Sequence, residues 1–174
     1  MLKQNTLRHA ITLTLILIFA LNAFAQAPSV TLRMADGGSF SLADQRGKIV
    51  VLAFGATWAP LSSKELPALQ KLADRYSARR VDFYWVSINS LKAGARNAAT
   101  DAELKSFATK YGLKIPVLRD PDQSAFRALG VENVPTLIVI DRAGKVAHKH
   151  VGFDPDQPDG YGEVSQVLDR LLKQ

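Results

Sequence analysis

The chain is 174 residues long, carries a formal net charge of +6, and contains three histidines and no cysteine. Charges of both signs are scattered, and no run of like charge is long enough for a nucleic-acid arm, so no nucleic-acid partner is expected. Without a thiol, thiol–disulfide exchange and cysteine-based peroxide reduction are excluded on chemical grounds, and the fold stands without a disulfide.

Residues 1–25 read as a secretory signal. Lys3 and Arg8 give a positive start, 11–21 form an apolar core, and Ala23-Phe24-Ala25 is an A-x-A cleavage site. Cleavage after Ala25 leaves one domain over 26–174, large enough to bury a real core. The apolar core is short for a membrane span. The alternative is retention as an anchor, so membrane contact is expected through this segment alone.

Residues 30–34 and 39–42 are strand candidates around Asp36-Gly37-Gly38, a hairpin turn signal. After a turn over 44–48, the run 49–54 is apolar and branched and too short for a helix, which predicts a buried parallel strand. Gly55-Ala56-Thr57-Trp58 breaks it. Ser62 followed by Glu65 matches a capping box and predicts a helix from 62 to about 78, with Leu66, Leu69, Leu72, Ala73 and Tyr76 inward. Pro67 predicts a kink. Residues 81–89 predict a second strand, parallel to the first through a right-handed crossover.

A polar loop over 90–100 precedes a helix over 101–111 that Gly112 ends. An extended segment follows at 115–118, and Pro121 is expected to open a helix running to Gly130. Residues 137–140 and 145–153 predict two further strands, joined by a turn at 141–144. An Asp- and Pro-rich loop over 154–160 leads to a closing helix over 163–172.

Phe54, Ala56, Thr57, Trp58, Glu65 and Pro67, together with Val134-Pro135-Thr136, resemble the active-site segment and second signature of the thioredoxin superfamily, in its TlpA/ResA-like (redoxin, AhpC/TSA-related) branch. The resemblance covers about residues 30–172. It implies an α/β thioredoxin-like fold, a central mixed sheet flanked by helices, with an N-terminal β-hairpin and a central strand–helix insertion. It also implies a periplasmic location and a cis bond at Val134–Pro135. The family's two cysteine positions are Ala59 and Ser62 here. Pro60 lies one place before the family's proline, whose position Leu61 fills, and this points to natural divergence.

A former active site without thiols leaves several readings open. The first is a binding groove built from Trp58, Ala59, Pro60, Leu61, Ser62, Val134, Pro135 and Thr136, holding an extended peptide or partner protein. By family analogy this would serve periplasmic thiol or cytochrome maturation. The alternatives are a thiol:disulfide oxidoreductase or antioxidant label that records ancestry, and a histidine-based metal carrier.

No catalytic residue and no cofactor are expected. Ser62 reads as a helix cap or, with a base in reach, a nucleophile. Glu65 matches a family carboxylate that tunes the thiols, or serves the cap. Trp58 is an exposed anchor or packs over its loop. His148 and His150 share one strand face, as metal ligands with Asp154 or Asp156 as a third, or as the solvated face of an edge strand.

Overall fold

The computed structural model describes residues 28–157 and 160–174. The signal assigned to 1–25 lies outside the described residues, as do Pro158 and Asp159 of the Asp/Pro-rich loop.

Seven strands form one sheet: β1 (Thr31–Met34), β2 (Ser39–Ser41), β3 (Ile49–Gly55), β4 (Val81–Ser87), β5 (Val117–Arg119), β6 (Thr136–Ile140) and β7 (Val146–Val151), in the order β2-β1-β5-β4-β3-β6-β7. Among the described residues four helices accompany it: α1 (Pro60–Arg75), α2 (Asp101–Lys110), α3 (Ser124–Ala128) and α4 (Gly162–Leu171). β3 is central. It runs parallel to β4 and antiparallel to β6, so the sheet is mixed, as the resemblance implies. The hairpin β1–β2 adds to the far edge by antiparallel pairing with β5.

All seven residues of β3 are buried because both faces of the sheet are covered. The pleat sends Ile49, Val51 and Ala53 into one core, with α1, α2 and α4 above them. Val50, Leu52 and Phe54 enter the other, with Leu32, Phe40 and residues of α3. Each fully buried aliphatic or aromatic side chain contributes roughly 1.5–3 kcal/mol, and both cores continue to the C-terminal end of β3. The loop that follows is therefore held from both sides.

Three elements differ from expectation. Residues Leu42–Gln45 form a 3₁₀ turn rather than extending the strand. α1 starts at Pro60, two residues before the expected Ser62, and runs through Pro67 to Arg75. Proline at the first helical position needs no N–H and brings a helical φ with it, so the start falls there.

Pro121 does not open α3, which begins at Ser124 after Gln123 at φ 58°. That left-handed residue cannot lie inside a right-handed helix. The buried Asp120 carboxylate instead accepts the amides of Ala125 (3.2 Å) and Phe126 (2.8 Å) and sets the helix start.

Candidate functional site

The site lies where β3 hands over to α1. Gly55 closes the strand, and an added Cβ there would stand 2.5 Å from Nε1 of the buried Trp85 and 3.1 Å from the Ser62 hydroxyl. Only glycine leaves this approach open. The loop then passes through Ala56, Thr57 and Trp58 to Ala59, the extended N-cap of α1, which makes no side-chain capping bond.

Ser62 is the third helical residue and fully buried. Its hydroxyl accepts the Ala56 amide at 3.2 Å, so it ties down the loop. The N-cap expected of it is corrected: a cap sits outside the helix with non-helical backbone, and that position belongs to Ala59. A nucleophile's role finds no support either, since the hydroxyl is enclosed and its observed partner is a backbone amide.

The cap role of Glu65 fails with it. Glu65 lies on the buried side of α1 with no exposed surface. Its Oε1 accepts the Tyr161 hydroxyl at 2.6 Å, and its Oε2 has no partner. Burial raises its carboxyl from 4.5 to about 8, against the opposing pull of the Tyr161 hydrogen bond. Burial and the neighbouring Glu65 push the Tyr161 hydroxyl up in turn.

From β4's side, Asn89 braces the loop. Its Oδ1 accepts the Thr57 amide at 3.0 Å, and its Nδ2 donates to the Thr57 hydroxyl at 2.8 Å and to the Asn97 carbonyl at 3.1 Å. The buried Arg119 donates to the Ala99 carbonyl at 2.8 Å and anchors the loop behind Asn89. Sequence reading missed Asn89 and Tyr161. An asparagine at the end of the apolar run 81–89 was the one signal for the first; nothing local marked the second.

On the opposite flank, the Val134–Pro135 bond is cis. Phe54 pairs with Thr136 across β3 and β6, so 134–135 run beside the loop that leaves β3. Val134 packs on the cluster that holds Ala56 and Ala59. The Pro135 carbonyl accepts the Gly152 amide at 2.8 Å, and Thr136 donates its hydroxyl to the Asn133 carbonyl at 2.8 Å.

The eight residues of the expected groove are thus brought together with unequal access. Trp58, Pro60 and Leu61 are exposed, Trp58 at 51%. Val134 is half-buried, and Ala59, Ser62, Pro135 and Thr136 are buried. Trp58 stands out from the loop rather than packing over it.

His148 and His150 share one face of β7, as expected. Their expected third ligand is corrected. Asp154 accepts the Asp156 amide at 3.0 Å in a local turn, and the carboxylate beside the imidazoles is Glu163 of α4.

Comparison with known proteins supports the same frame. The AhpC/TSA family matches residues 24–149. The thiol-disulfide oxidoreductase ResA of Bacillus thuringiensis (strain Al Hakam) is 31% identical over 137 residues, covering 78% of this chain and 74% of that protein. The thioredoxin-like protein YneN of Bacillus subtilis (strain 168) is 32% identical over 127 residues, covering 73% and 70%. A thiol:disulfide interchange protein of the thioredoxin family from Chlorobium tepidum TLS superposes with a TM-score of 0.65 at 25% identity, over 84% of this chain and 95% of that one. Among the described residues no helix is long and apolar enough to cross a membrane.

Proposed function

Because this chain belongs to the AhpC/TSA family, in its ResA-like thioredoxin-fold branch, and yet carries no cysteine, we propose that it is a secreted periplasmic binding module. In this reading it holds an extended segment of a partner protein along the former active site and carries out no thiol exchange. Its place is an accessory one in periplasmic thiol or cytochrome maturation. Exchange needs an attacking thiolate and a resolving thiol; a methyl group at Ala59 and an enclosed hydroxyl at Ser62 supply neither.

The observation that carries the reading is Trp58. An indole half open to solvent, with Leu61 37% exposed three residues on, is costly to leave uncovered unless it meets a partner. Aromatic anchors of this kind dominate protein interfaces. The loop that carries Trp58 is braced by Asn89 and Ser62, so docking requires little ordering of it. Secretion rests on the signal-like composition of 1–25.

The test is photo-crosslinking in the native compartment from a photoreactive residue at Leu61, with one at Asp44 as control. Asp44 is exposed in the turn before β3, at the opposite end of that strand from the site. One dominant adduct from position 61, absent from position 44 and lost on Trp58→Ala, is expected. Equal capture from the two positions, or capture indifferent to Trp58→Ala, would refute the reading. Purified protein is further expected to reduce a disulfide substrate no faster than buffer.

A further inference from the structure

We propose that His148, His150 and Glu163 form a binding site for one divalent transition-metal ion, Cu²⁺ more tightly than Zn²⁺, on the flank of β7.

Register places the two imidazoles. His148 pairs with Val139 and His150 with Leu137, and both partners face the core that α1 and α4 cover. The histidines therefore extend that face at the sheet's edge, where α4 begins. Lys149 between them points the other way and donates to the Gly130 carbonyl at 2.7 Å. Glu163, in the first turn of α4, closes the cluster, and the three ligand atoms lie within 4.8 Å of one another.

The distances suit an ion better than a direct contact. His148 Nε2 stands 3.7 Å from Glu163 Oε1, and His150 Nδ1 stands 3.8 Å from Oε2. Both separations are too long for a hydrogen bond. An ion about 2.1 Å from either imidazole nitrogen and the carboxylate oxygen facing it would see that pair roughly 125–130° apart, a modest widening of a tetrahedral angle.

A second observation points the same way. His148 Nε2 is buried and has no hydrogen-bond partner, a cost that a coordinated metal would remove. Glu163 is largely exposed, so its side chain can follow the ion and its charge offsets part of the metal's. Two imidazoles and one carboxylate make a borderline donor set that suits Cu²⁺ and Zn²⁺ and not Mg²⁺. A water molecule would complete the fourth position.

Chelator-buffered titrations of metal-free protein bearing no added histidines, with Cu²⁺, Zn²⁺ and Mg²⁺, test the site. One equivalent of Cu²⁺ and of Zn²⁺ is expected, with nitrogen coupling in the Cu²⁺ paramagnetic resonance spectrum. His148→Gln, His150→Gln and Glu163→Gln should each weaken binding by at least about tenfold, and Asp154→Asn with Asp156→Asn should not. Thermal unfolding of each metal-free variant checks its fold, and the exposed Glu163→Gln keeps the test valid should a histidine variant fail to fold. Absence of binding to the parent protein, equal binding by the three variants, or loss on the aspartate changes alone would overturn the proposal; an ordinary histidine–carboxylate pair gives the first of these.

Discussion

Glu65 shows how burial alone can redirect a residue. Its carboxyl is raised from 4.5 to about 8 chiefly by desolvation. The folded state then keeps a proton that the unfolded chain releases above pH 4.5. The stabilising balance is full below that value and is lost as pH rises through about 8, at up to about 1.4 kcal/mol per pH unit. Glu65→Gln removes this dependence, so its denaturant midpoints should exceed the parent's at pH 8, by an amount that narrows toward pH 5. Parallel profiles for the two proteins would refute the assignment. The S-x-x-E spacing was legible in the sequence, but its meaning was not. One helical turn of displacement turned a cap into a loop tie at Ser62 and a buried acid at Glu65. Gly55 is similar: its need for a bare Cα comes from Trp85, thirty residues away in the chain, and no local pattern carries that.

At the level of elements, periodicity and turn signals located every strand and three of the four helices among the described residues close to their observed bounds, because sheet and helix burial repeat at distinct intervals. The exception, α3, is governed by one long-reaching side chain. The Asp120 carboxylate accepts two backbone amides and the Ser124 hydroxyl. Asp120→Ala leaves buried donors unpaired and should cost about 2–3 kcal/mol in urea unfolding, whereas Ser124→Ala should cost under about 1 kcal/mol. A negligible loss for Asp120→Ala would mean that the packing of Phe126, rather than the carboxylate, holds α3. A proline in front of five helical residues cannot signal this, since the competing cap lies before the proline itself.

Across the whole molecule, the scaffold around the degenerate site is complete: a braced loop, a helix start at Ala59–Pro60 and the facing 134–136 segment. The double variant Ala59→Cys/Ser62→Cys should therefore form an internal disulfide, seen as a loss of two hydrogens by mass, and gain disulfide-reductase activity. The helix N-terminus would favour the thiolate at position 59. A folded variant with free thiols and no activity would show that the proline shift to position 60 has dismantled the site. Spacing and two local signatures in the amino-acid order already specify the fold, and the lack of any cysteine leaves the chain no thiol to exchange, because no arrangement of other side chains replaces sulfur. What Ser62 and Glu65 do, and which carboxylate meets His148 and His150, emerges from packing between distant segments. Those outcomes depend on α1 and α4 docking against one face of the sheet, and contacts between segments far apart in the chain leave no period in the sequence to read.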